Sequence, residues 1–168
     1  DLRMFPMAEH IERTFDCEVR ALMPTEYNAR WAADPNVNHV LADLHAEAIS
    51  ALLQRHPQAT VLVDRFADES VLSTRLRRRH GSAPARLVQV PRAESHPCVA
   101  AASIVARVHF VEGFKACEAE SGTDLHKGAG EPVDVAARRA FAIGGKALLG
   151  RIAKLHFKNS ERIPGLRA

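Results

Sequence analysis

Cysteine is scarce in this chain, and its placement excludes more than its number does. Cys17, Cys98 and Cys117 are odd in number and unevenly spaced among 168 residues. Such a set gives no disulfide framework and suits a reducing cytoplasm. It also lacks the paired short spacing of a zinc site. No apolar run approaches the roughly 18 residues that a membrane span needs, so no membrane partner is expected. The N-terminus has no basic-then-apolar leader pattern, and no internal repeat or low-complexity segment stands out. The nine histidines are scattered, none at i, i+4 with a third ligand in evident reach. No glycine-rich loop directly follows a strand, which argues against an unrelated α/β domain that binds a small phosphorylated ligand.

What is present suits a folded domain. Hydrophobic residues make up 46% and charged residues 26%, which reads as one soluble domain, residues 1–168, with a core of its own. The net charge of +3 is a mild excess and only weak evidence for a polyanionic partner. The basic block Arg75-Leu76-Arg77-Arg78-Arg79-His80 reads as a solvated helix end, where cations favour the dipole.

The elements alternate. Residues 17–23, CEVRALM, predict a strand. Asp34-Pro35 reads as a capping pair, and Val37, Val40, Leu41, Leu44, Ala48 and Leu52 then recur at helical spacing until Pro57. Thr60–Asp64 is a β-branched strand, 68–79 a helix stopped by Gly81 and Pro84, and Arg86–Val90 a second strand stopped by Pro91. A helix over 97–118 follows, lined by Ile104, Val105, Val108 and Val111. A glycine-rich turn then leads to a last helix over about 133–154. Its stripe is Phe141, Gly144, Gly145, Leu148, Ile152 and Leu155, and its two glycines are expected to permit close packing and not to break the helix. The pattern is an α/β layer, in which ligands gather at the carboxyl ends of strands.

Two acids stand at such ends. Asp64 closes one strand, and Glu94 lies just past the next, ahead of the 97–118 helix. If the strands are neighbours, the carboxylates converge and repel, and a divalent cation removes that conflict. Hard oxygen donors suit Mg²⁺ or Mn²⁺, which can activate water and assist displacement at phosphorus. Acids at strand ends and helix starts also serve as ordinary caps, and spacing alone leaves both roles open.

Val63-Asp64-Arg65-Phe66 resembles the aspartate motif of the type 2 ribonucleases H, in the V/I-D-Q-F form of ribonuclease HIII. Ala93-Glu94-Ser95 with Val99–Arg107 is similar to that family's A-E-S…AVAAASI-I-A-R segment. Tyr27-Asn28, Asn36–His45, Lys127–Gly130 with Val133-Asp134, and Lys154–Asn159 resemble further family motifs, in family order. The resemblance implies a ribonuclease H-like mixed sheet flanked by helices and missing its first strands. It implies an endonuclease that cuts the RNA strand of RNA/DNA hybrids with Mg²⁺ or Mn²⁺, Asp64 and Glu94 being the third and fourth of four acids. The D-E-x-G-x-G motif that carries the family's first two acids does not occur here. The chain therefore reads as an N-terminally truncated catalytic domain of weak or no activity, or as a noncatalytic hybrid-binding remnant. A cytoplasmic monomer is expected.

The same resemblance brings in candidate substrate contacts. Asn38 either touches nucleic-acid backbone or caps local structure. His45 is a hydrogen-bonded core-edge residue in the plainer reading. Ser103 and Arg107 reach phosphate if their helix faces the groove, although helix packing accounts for Ser103 better. Lys127, ahead of a helix start, is a candidate for phosphate contact or for capping, and Lys158 is a candidate for hybrid contact.

Overall fold

The computed structural model describes residues 3–81 and 86–166. The chain divides into two compact units: Asp1–Ala21 with Asn36–Phe110, and Leu22–Pro35 with Val111–Ala168. Pro84 lies outside the described residues.

The first unit is built on a parallel strand pair. β1 (Val61–Asp64) and β2 (Leu87–Val90) run side by side, with Val61 opposite Leu87 and Asp64 opposite Val90. Parallel neighbours need a crossover, and α4 (Glu69–His80) lies between the strands in sequence. It starts where the Asp68 side chain accepts the Ser70 amide at 2.9 Å and ends at Gly81, whose φ of 77° is left-handed. With α3 (Val37–Arg55) it covers one sheet face. Ala46, Ile49, Leu53, Val63, Leu72 and Leu76 form that core, and Val61, Phe66 and Leu87 pack against it. The pleat turns the next side chain the other way, and Val88 is 40% exposed. A second cluster joins Ala8 of α1 (Met4–Thr14) to Val105 and Val108 of α5 (Pro97–Ser121).

Two expectations are corrected in this unit. α3 is capped by Asn36, whose side chain accepts the Asn38 amide at 3.0 Å. Asp34 instead closes α2 (Pro24–Ala33), donating its amide to Arg30 O at 3.0 Å. Residues 17–23 form no strand, because the described sheet has two strands only and offers this segment no ladder. Charge fixes the start of this stretch instead. Arg55 lies 2.7 Å from Asp16 and 3.2 Å from Glu18, and His56 lies 2.8 Å from Asp16.

α5 also corrects a sequence reading, since it is long and apolar enough, by length and composition, to cross a membrane. Arg107 and Glu112 interrupt any continuous apolar run there, yet the small residues around them keep the average apolar.

The second unit holds α2, the later part of α5, α6 (Glu131–Ile152) and a 3₁₀ turn, Lys158–Arg162. Its core is Cys117, Ala140, Leu148, Leu149, Ile152, Ile163 and Leu166. α6 is broken at Gly145, with φ 61° and ψ −156°, contrary to the expected unbroken helix. Only glycine adopts that conformation readily. Gly144 supplies space, because a Cβ there would lie 2.6 Å from Leu148 Cβ. Gly145→Ala is therefore expected to cost about 1–3 kcal/mol in urea unfolding. Gly150→Ala, at a helical position where an added Cβ meets nothing within 4 Å, is expected to be neutral or stabilising.

Candidate active site

Parallel pairing brings the exits of β1 and β2 to the same end of the sheet. Asp64 is the last residue of β1, and the ladder continues one step as the Arg65 amide donates to Val90 O at 3.0 Å. Past Val90, the chain turns through Arg92 and a 3₁₀ turn, Ala93–Ser95. Arg92 has φ 58° and ψ 38° and is the one non-glycine of positive φ among the described residues. That conformation costs an L-residue about 1–2 kcal/mol. The amide of Ala93 donates to Asp64 Oδ1 at 3.3 Å. One strand's terminal carboxylate is thus bonded to the residue before Glu94, and the two acids share a lip of the sheet. Both are exposed.

The capping alternative divides between them. Asp64 does cap the turn at Ala93. Glu94 lies outside α5, whose first turn holds no acid. Among the described residues, no three His, Cys, Asp or Glu side chains gather to hold a metal ion. The lip therefore offers two hard oxygen donors. That set fits Mg²⁺ or Mn²⁺ when water and phosphate oxygens complete the coordination.

The other sequence-predicted residues are placed as follows. Asn38 sits half-buried in the first turn of α3. The His45 ring stacks on Phe66, two residues past Asp64, with centroids 5.0 Å apart, and burial lowers its affinity for a proton. The Ser103 hydroxyl donates to Val99 O at 2.9 Å, a bond within its own helix. The Arg107 guanidinium lies 5.2 Å from the centroid of the Phe110 ring. These four belong to the same unit as the acids. Lys127, whose Nζ is 5.5 Å from the Phe114 centroid, and the exposed Lys158 belong to the other unit.

Several motif residues are structural ties of the second unit. The Asn28 amide donates to Gly150 O at 3.0 Å and Ala153 O at 2.9 Å, while its carbonyl accepts the Leu155 amide at 3.0 Å. One side chain thereby finishes the end of α6, where carbonyls lack helical partners. His156 stacks on Trp31 at 3.8 Å and lies 5.4 Å from Tyr27, over which Lys154 sits at 4.3 Å. Burial lowers the proton affinity of both Lys154 and His156. Asp134 accepts from Arg162 and from Asn159, each at 2.9 Å, and these bonds, that of Arg162 first, hold its carboxyl below the ordinary value. Sequence reading missed these ties because their partners lie far apart in the chain. The one available signal was that the residues recur together in the motifs.

The fold and the lip define an α/β domain that presents a carboxylate pair at the carboxyl ends of adjacent parallel strands. The family model for ribonuclease HII matches residues 2–160, and the chain belongs to that family. It is 34% identical over 159 residues to the ribonuclease HIII of Protochlamydia amoebophila, covering 95% of this chain and 52% of that protein. It is 36% identical over 166 residues to the ribonuclease HIII of Chlamydia pneumoniae, covering 97% and 55%. The crystal structure of Bst-RNase HIII in complex with Mn²⁺ superposes with a TM-score of 0.88 at 30% identity, covering 96% of this chain and 54% of that one. The chain spans about half the length of these relatives.

Two outcomes test the ties. Asn28→Ala leaves three backbone groups without their partner and is expected to cost about 2–3 kcal/mol in urea unfolding. For Asp134, a carboxyl depressed in the folded state contributes stability that is full above its ordinary value of 3.8 and is lost as pH falls through the folded value. Asp134→Asn should therefore narrow its stability gap to the unchanged protein as a urea series is taken from pH 5 down past that value.

Proposed function

We propose that this domain belongs to a metal-dependent endonuclease that hydrolyses the RNA strand of RNA/DNA hybrids. The observation that carries the reading is the shared lip: Asp64 and Glu94 leave adjacent parallel strands, joined through the Ala93 amide at 3.3 Å. Family membership and the Mn²⁺ bound by Bst-RNase HIII support it. Asp64 and Glu94 would hold Mg²⁺ or Mn²⁺, which when bound supplies activation of the attacking water and stabilisation of the leaving 3′ oxygen. The buried Ala93 beneath the turn and the bond to Asp64 hold the acids in place before substrate arrives. Phosphate contacts make affinity salt-dependent, and 2′-hydroxyl contacts with helix shape separate RNA from DNA. Candidate contacts are Asn38, His45, Ser103, Arg107, Lys127 and Lys158. We place the protein in the cytoplasm, a compartment that suits its three free cysteines, and propose that it is a monomer.

A second reading, a hybrid-binding module without catalysis, is favoured by the pair being only a pair: the described residues hold no third ligand. The decisive experiment joins this chain to the portion of a ribonuclease HIII relative that it does not match, and assays a hybrid with Mg²⁺ or Mn²⁺. The nuclease reading expects cleavage by the fusion. Asp64→Asn and Glu94→Gln should each abolish it, leave hybrid affinity largely intact, and weaken Mn²⁺ binding in calorimetry on the chain itself. Retained cleavage in both variants overturns the assignment, and hybrid binding with no cleavage by the fusion favours the second reading.

A further inference from the structure

Resting on that reading, we propose that Arg92 is a phosphate-binding residue of the lip, its guanidinium taking a backbone phosphate of the hybrid beside the bond on which Asp64 and Glu94 act. Three observations carry it.

The first is backbone conformation. Arg92 is left-handed, at φ 58° and ψ 38°, where glycine or asparagine sits with least strain. A turn that needed only this shape would be easier to build with glycine. The sequence has a long cationic side chain there, and strain of this kind gathers at working sites.

The second is position. The Arg92 carbonyl accepts from the Ser95 amide at 3.3 Å and from the Ser95 hydroxyl at 3.2 Å, closing the turn around Glu94. The residue after it donates to Asp64. Arg92 is thus anchored between the two acids.

The third is charge. Two carboxylates on one lip repel an approaching polyanion. Arg65, the other arginine at this lip, lies 3.4 Å from Glu69, so its charge is shared. Arg92 is exposed, and its side chain forms no ion pair or hydrogen bond among the described residues. A guanidinium left open in this way suits the forked recognition of phosphate oxygens.

The test measures binding of a short RNA/DNA hybrid to the chain by fluorescence anisotropy across a salt series, for the unchanged protein, Arg92→Gly, Arg92→Gln and Arg92→Lys. Arg92→Gly keeps the turn without strain, and Arg92→Gln keeps side-chain length without charge. Arg92→Gln is expected to retain the thermal midpoint and Arg92→Gly to retain or raise it, and both to keep Mn²⁺ binding, to weaken the hybrid, and to reduce the slope of log K against log salt by about one. Arg92→Lys should keep the slope. An unchanged slope in Arg92→Gly and Arg92→Gln, with hybrid still bound, overturns the Arg92 assignment alone. So does loss of Mn²⁺ binding in Arg92→Gly, which would make Arg92 a turn-shaping residue. Should the unchanged chain bind no hybrid, the same series is read on its fusion to the unmatched portion of a ribonuclease HIII relative, and failure of that fusion to bind overturns the functional reading along with the Arg92 assignment.

Discussion

Everything at the candidate site depends on two four-residue strands running in the same direction. Antiparallel neighbours would send their exits to opposite ends and separate Asp64 from Glu94. Parallel pairing fixes both exits at one end, and the register that sets Asp64 opposite Val90 leaves three residues, Pro91 to Ala93, to bring Glu94 round. The crossover helix makes that direction possible, and its Leu72 and Leu76, among the most deeply buried side chains, pack together with α3 against one face of the strands. Packing behind the sheet is therefore what gives the acids their common address.

The second unit follows a different logic. Its motif residues make a polar frame around a helix that cannot finish itself: Asn28 completes the end of α6, Asp134 near its start takes Asn159 and Arg162, and His156 is sandwiched among aromatic rings. Residues that look like chemistry in a sequence here serve construction. Family membership explains why they recur together, while the geometry explains why each residue type is needed.

Much of the first unit was legible beforehand. β1, α3, α4, β2 and α5 follow from β-branched runs, helical spacing and proline or glycine stops, and the placing of Asp64 and Glu94 at strand exits follows from those boundaries. What was not legible depends on distant partners. The 17–23 segment has strand-like alternation but no neighbouring ladder, and the charges of Asp16 and Glu18 bind Arg55 some forty residues on. Gly144 and Gly145 look alike on a helical stripe, yet one needs room and the other needs a backbone angle. Arg92 carried no pattern, since a left-handed arginine has the same letter as a helical one.

The strand pair has one more consequence. With only two strands paired among the described residues, each strand keeps one flank whose amides and carbonyls have no ladder partner. Such flanks are adhesive: they act as templates on which any extended polypeptide can be laid down. On the β1 flank, a strand added parallel to β1 would end beside Asp64 and become its immediate neighbour, so the surroundings of that carboxylate are open to revision by whatever backbone is accepted there.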